Sequence, residues 1–229
     1  NLSETIDFVQ IMDELEQKYN IVSSYTSTRP QTKPISSVNT APQASKSTNT
    51  SNSEPWTQLR SHVYQDMNHK NLAIKTIYRK PDESKTAMWQ RYESGTLIKG
   101  LNGLQMPLYH VYNITDNAKP VFVVEGEKDV ETMEKLGYIA TTSPNGAGSK
   151  WKSEYTPIFN DFDVVILADN DEAGLKYATN IAENLIQTAR SVKLVPSQSL
   201  YTSLQPKGDI SDIVDIIGLV KAKNLLKKF

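Results

Sequence analysis

The pattern of apolar and polar positions divides the chain into stretches with different rhythms. Leu2, Ile6, Phe8, Val9, Ile11, Met12, Leu15 and Tyr19 fall among Asp, Glu and Gln, a spacing that predicts an amphipathic N-terminal helix within residues 1–22. Residues 23–55 then turn to Ser, Thr, Asn, Gln and Pro with hardly a large aliphatic side chain. Such a stretch buries too little apolar surface to offset the entropy of ordering it, and it reads as a flexible linker. The main body begins near Trp56. Short apolar runs at Leu72–Tyr78 and Thr86–Tyr92 are split by the turn residues Pro81–Ser84 and followed by Ser94-Gly95, so residues 56–118 are expected to form a small antiparallel β-rich unit.

From Pro120 the rhythm changes to strand alternating with helix. Strands are predicted at Val121–Val124, Tyr138–Thr141, Val164–Leu167 and Val192–Val195, and helices at Glu127–Leu136 and Glu172–Thr188. Apolar runs alternating with helical segments argue for an α/β unit with a parallel sheet flanked by helices, here residues 119–217. Residues 218–229 continue with helical spacing and carry Lys221, Lys223, Lys227 and Lys228, which reads as a basic C-terminal helix.

The chemistry lies where acids meet strand ends. Glu125 follows one buried strand, and Asp169 and Asp171 follow another. In an open parallel sheet ligands bind outside the carboxyl ends of the strands, so these acids can meet in one crevice. Mg2+ takes oxygen ligands and keeps several waters, leaving room for phosphate oxygens. Asp169 and Asp171, two apart in extended chain, are expected to point the same way, with Asn170 pointing elsewhere. Gly126 lets the backbone turn sharply or adopt a positive φ, and Asp129 is placed to face back towards the strand end. Asp209 and Asp212 either cap the helix that follows them or join the metal site. The loop Ser143–Ser149 offers either a phosphate cradle or an ordinary surface turn, and no Walker spacing is present.

Composition narrows the setting. The 229 residues include no Cys, which excludes disulfides and thiolate zinc sites within this sequence. No apolar run approaches the roughly 20 residues of a membrane span, so a soluble, cytoplasmic protein without membrane contact is expected. The chain starts with Asn1 rather than Met, as a processed product or a piece of something larger would. A net charge of −1 leaves nucleic-acid binding to local patches. Between Asn68 and Gly103 seven basic residues stand against three acidic ones, with Tyr78, Trp89 and Tyr92 interleaved. Arg79, Lys80, Lys85, Trp89, Arg91 and Lys99 are the candidates for gripping a single strand by phosphate contact and base stacking. The alternative is a solvated hairpin face with Trp89 in the core.

In order along the chain, Glu125-Gly126-Glu127-Lys128-Asp129, Asp169-Asn170-Asp171 and Gly208-Asp209-Ile210-Ser211-Asp212 resemble the acidic motifs of Toprim domains. They are most similar to those of the primases and primase-helicases of bacteria, phages and mobile elements. Trp89–Tyr92, Gly100–Gly103 and Pro107–Tyr109 resemble the segment that precedes the Toprim core in phage and plasmid primases. The resemblance implies a Toprim-type sheet and Mg2+-dependent nucleotidyl transfer, with Mn2+ as a substitute. Glu125 and Asp129 would be catalytic, and Glu125, Asp169, Asp171, Asp209 and Asp212 would serve the metal. Single-stranded DNA template, nucleoside triphosphates and a replicative helicase are the implied partners. Such primases usually carry an N-terminal zinc ribbon; Ile6–Val9 resembles the stretch closing one, but a chain without Cys lacks the ribbon itself. Two other activities fit the same acids: a metal-dependent nuclease and a catalytically silent single-strand-binding replication adaptor.

Overall fold

The computed structural model describes residues 56–229. The helix expected within 1–22 and the linker at 23–55 lie outside the described residues. Two four-stranded sheets follow in chain order. The first is an antiparallel meander of β1 (Thr57–Gln65), β2 (Asn71–Arg79), β3 (Lys85–Glu93) and β4 (Thr96–Lys99). The sequence pattern outlined β2 and β3, but β1 went unread. His62 and Tyr64 on one face of that strand are buried beneath polar neighbours, so its inward face carries little aliphatic signal.

The second sheet is parallel, in the order β6-β5-β7-β8. Its strands are β5 (Val121–Val123), β6 (Ile139–Thr141), β7 (Asp163–Ala168) and β8 (Ser191–Pro196). Helix α1 (Glu127–Lys135) joins β5 to β6, and α2 (Glu172–Leu185) joins β7 to β8. The short α3 (Ser197–Leu200) leads to α4 (Ile210–Ile217) and α5 (Leu219–Leu226), with Gly218 between the last two. Among the described residues no helix is long and apolar enough to cross a membrane.

Side chains along a strand alternate between sheet faces, and the parallel sheet fills a core on each side. Val121, Val123, Val164 and Ile166 pack with Trp151, Tyr155, Phe159 and the apolar stripe of α2. Phe122, Val124, Val165 and Leu167 face the other way, against Val130 and Met133 of α1 and Ile210 and Ile213 of α4. Tyr64 and Ala73 of the antiparallel sheet belong to this second core, so that sheet docks beside α1.

Polar contacts fix the docking. Helix α1 presents Glu127, Glu131 and Glu134 at successive turns towards the incoming chain. The largely buried Lys75 reaches Glu127 at 2.6 Å, and Tyr64 donates to the same carboxylate at 2.7 Å. His62 meets Glu131 at 2.8 Å, Tyr109 donates to Glu131 at 3.0 Å, and His110 meets Glu134 at 2.8 Å. Lys75 is one of the seven basic residues between Asn68 and Gly103, but its ammonium sits at the junction between the two sheets.

Candidate metal centre

β5 lies between β6 and β7, so the chain runs to one side of it through α1 and reappears on the other as β7. At such a reversal the connections diverge and open a crevice at the carboxyl edge. Glu125 leaves β5 and Asp169 leaves β7 at that edge, on strands paired in parallel with Val123 opposite Ile166.

The acids are brought together from four segments. Beyond β7 the chain turns at once, with the Asp171 N–H bonded to the Asp169 carbonyl at 2.8 Å. The extended geometry expected across this pair is therefore corrected: Asp171 is the N-cap of α2, its Oδ1 accepting from the Gly174 N–H at 2.8 Å. Gly174 allows the first turn of α2 to press on Asp169, because a Cβ there would lie 2.8 Å from the Asp169 Cβ. Asn170 does point elsewhere. Its amide donates to the Leu204 and Gln205 carbonyls at 3.1 and 3.0 Å, while its N–H bonds the Gly208 carbonyl at 2.9 Å. These bonds tie down the loop that delivers Asp209.

Asp209 both caps α4 and joins the acidic group. It and Asp212 form a reciprocal capping box, with Asp212 N–H to Asp209 at 2.8 Å and Asp209 N–H to Asp212 at 3.0 Å. The second oxygen of Asp209 takes a bond from Lys128 at 2.8 Å. Asp212 is thereby engaged as a cap. Asp129 faces back from α1, as expected, with its Oδ2 so close that a Cβ on Gly126 would lie 3.1 Å away. Gly126 itself is extended at φ −122, so it supplies space rather than a positive φ. Asp129 is buried, its Oδ1 accepting from the Ser211 hydroxyl at 2.6 Å, which in turn meets Thr132 at 2.9 Å.

The electrostatics show how tightly the acids are gathered. Burial, and then the charges of Asp129, Glu125, Asp209 and Asp171, push Asp169 up to about 9. Burial and the charge of Asp209 push Asp129 up to about 7, against the pull of Ser211 and Lys128. Burial and the charges of Asp171 and Asp209 also raise Glu125, opposed by its hydrogen bond with Asp169. Oε2 of Glu125 is buried with no hydrogen-bond partner among the described residues.

This donor set fits a hard divalent cation. It is made of carboxylate oxygens, one is orphaned, and the group resists carrying its full negative charge at neutral pH without a positive partner. Among the described residues no three His, Asp or Glu side chains already enclose a metal-sized site. Mg2+ needs only one or two protein carboxylates, with water and phosphate completing its shell.

The candidate nucleic-acid residues fall on the adjoining hairpin. Arg79, Lys85, Trp89 and Arg91 share one face of β2 and β3, where Lys75 stands opposite Trp89 and Arg79 opposite Lys85. Lys80 lies over the ring of Trp56 at 5.7 Å. Trp89 is half-buried against Tyr64, with ring centroids 5.1 Å apart. Arg91 is held by Glu93 at 2.6 Å and also donates to the Gly100 carbonyl. The exposed Lys99 borders a cleft of about 410 Å3 with Ala87, Met88, Trp89, Gly100 and Leu101. Lys128, Ser211 and Thr132 have no role assigned from the sequence: Lys128 and Ser211 fall inside the acidic motifs, and Thr132 carries no local signal.

Comparison with known proteins agrees with this geometry. Residues 120–196 match the family model of the Toprim domain. The chain is 30% identical over 102 residues to the Gene 57 protein of Mycobacterium phage D29, a match covering 44% of this chain and 65% of that protein. It is similar in fold to the structure of the DnaG catalytic core, with a TM-score of 0.50 at 18% identity, over 73% of this chain and 52% of the other. The chain thus spans about two thirds and about half of the lengths of these two relatives. With the acidic motifs at the carboxyl edge of a parallel sheet and an antiparallel sheet before it, residues 120–196 match a Toprim domain within a fold similar to that of the DnaG catalytic core.

Proposed function

We propose that this protein is a primase-like nucleotidyltransferase that makes primers on single-stranded DNA in the replication of a phage, plasmid or mobile element. The observation that carries the reading is the convergence of Glu125, Asp129, Asp169, Asp171 and Asp209 at one sheet edge, with Asp169 driven to about 9 by its neighbours and its burial. Asp169 and Asp171, with Glu125, would hold Mg2+ or Mn2+. The bound ion supplies neutralisation of phosphate charge and acidifies an attacking hydroxyl. Glu125, whose buried Oε2 has no hydrogen-bond partner among the described residues, would accept the hydrogen of a primer 3′-hydroxyl. Asp129, held by Ser211 and pushed up to about 7 by its burial and by Asp209, would hold or release a proton behind that position near neutral pH. Lys128 holds Asp209 and leaves the remaining acids open to the ion.

The hairpin supports a polynucleotide partner. Arg79 and Lys85 are directly opposite across β2 and β3, and the exposed Glu83 lies 3.6 Å from Arg79, a loose surface pair that a backbone phosphate can displace. The cleft beside Trp89 and Lys99 offers apolar surface to a base and a cation to its phosphate.

The test is incorporation of labelled ribonucleotides on single-stranded DNA with Mg2+ or Mn2+, scoring extension and cleavage for wild type and Asp169→Ala/Asp171→Ala. Short metal-dependent products absent from the variant establish the primase reading. Strand scission alone replaces it with a nuclease, and DNA binding without any product replaces it with an adaptor.

A further inference from the structure

The loop after β6, Thr142–Ser149, is the motif that the acidic site leaves unexplained. As a phosphate cradle it is poorly supplied with free donors. The N–H groups of Gly146, Gly148 and Ser149 bond to carbonyls within the loop, and that of Ser143 goes to the Tyr177 hydroxyl. Its outward contacts instead run to the two sides of the acidic cluster.

On one side the loop grips the backbone of Glu125. The buried Thr142 hydroxyl donates to the Glu125 carbonyl at 2.7 Å. Gly146, at φ +49, packs so closely that a Cβ there would collide with the same carbonyl oxygen and lie 3.2 Å from the Glu125 Cγ. On the other side the Ser143 hydroxyl meets the Tyr177 hydroxyl at 2.8 Å. Tyr177 is buried in α2, the helix that begins at its N-cap Asp171. Through the adjacent Thr142 and Ser143 the start of the loop is thus bonded both to the strand that presents Glu125 and to the helix that presents Asp171. A carboxylate pair from two different elements binds one ion well only if their spacing is fixed, and outer contacts of this kind set it.

We infer that Thr142, Gly146 and the Ser143–Tyr177 pair form a strap that sets the position of Glu125 against Asp171, and that these are positioning residues for the metal site. The inference rests on the metal-site reading above. Thr142→Val keeps the volume and removes the hydroxyl that holds the Glu125 carbonyl. Gly146→Ala places a methyl group where the Glu125 carbonyl now stands, in a backbone conformation that L side chains rarely adopt.

Mn2+ binding to the full chain, followed by electron paramagnetic resonance, tests the strap without requiring turnover, and thermal melting verifies that each variant folds cooperatively. The expected result is roughly tenfold weaker binding for Thr142→Val, near-wild-type binding for Thr142→Ser, and a larger loss for Gly146→Ala, since about 1.4 kcal/mol corresponds to tenfold. In a Glu125→Gln background Thr142→Val should add little, because the hydroxyl acts through Glu125. Wild type that binds Mn2+ while folded Thr142→Val binds equally well overturns the strap alone, as does full additivity with Glu125→Gln. Should a Thr142→Val chain fail to fold, Thr142→Ser and Tyr177→Phe carry the test, and Tyr177→Phe that folds but binds with wild-type affinity overturns the strap. Wild type that binds no Mn2+ overturns the metal-site reading and the strap with it.

Discussion

Replacing Asp169 by Asn should stabilise the metal-free protein while abolishing its response to Mg2+. In the fold the Asp169 carboxyl moves from 3.8 to about 9 through burial and the neighbouring acids. The folded state therefore holds its proton more tightly than the unfolded chain. Its contribution to stability is fully present below 3.8, falls as the pH rises, and is lost by about 9. Each pH unit in that window costs about 1.4 kcal/mol, and pH 7 lies about three units into it, so the upper bound at neutrality is about 4 kcal/mol. The neighbouring acids share the relief given by that proton and the carboxyl is only part-buried, which leaves about 1–3 kcal/mol for an isosteric neutral replacement. Urea unfolding in a chelator at pH 5 and pH 8 should show the variant ahead of wild type, with the wider gap at pH 8. Added Mg2+ should raise wild-type stability with the logarithm of its concentration and leave the variant nearly unchanged. A variant no more stable than wild type at pH 8, or a gap that does not widen with pH, refutes the electrostatic account of the site.

Lys128→Met removes a cation that lowers the Asp129 titration midpoint, so that midpoint, about 7 in the wild type, should rise in the metal-free protein when followed by carboxyl NMR. A fall would mean that Lys128 does not act on Asp129. Lys75→Met should cost about 3 kcal/mol by stranding the buried Glu127, and Lys75→Met/Glu127→Gln should recover much of it; urea midpoints that show no recovery rule the pair out as the cause. Arg79→Ala/Lys85→Ala should weaken single-stranded DNA binding and flatten its logarithmic salt dependence by about 1.4, the amount for two phosphate contacts. Fluorescence anisotropy across a salt series measures this, and an unchanged slope removes these residues from the interface.

The parallel sheet was legible because its strands are continuous apolar runs buried on both faces, and because the helices between them keep their spacing. β1 was not legible. Its inward side chains include His62 and Tyr64, and their burial is made acceptable only by Glu131 and Glu127, which lie more than sixty positions further along the chain. No local pattern carries that information. The same holds for Lys75, which in the sequence looks like one more cation in a basic hairpin. Its partners, Glu127 and the Pro144 carbonyl, lie on the other side of the sheet junction.

The acids of the site were visible because each follows a strand or opens a helix, positions at which a sheet of this kind gathers ligands. Their relative placement was not. It depends on Asn170 pulling in the loop of Asp209, on Gly174 letting α2 press against Asp169, and on Thr142 and Gly146 closing on Glu125. Each of these is a tertiary contact made by a small or neutral residue with no charge to mark it. The acids, left to their mutual repulsion, would spread apart, and a fold that holds them together at neutral pH does so at a cost in stability. Asp169 pushed to about 9 is the sign of that cost. The neutral contacts supply the restraint against that repulsion, which is why substitutions at Thr142 or Gly174 should disturb metal affinity although neither residue supplies a ligand to the ion.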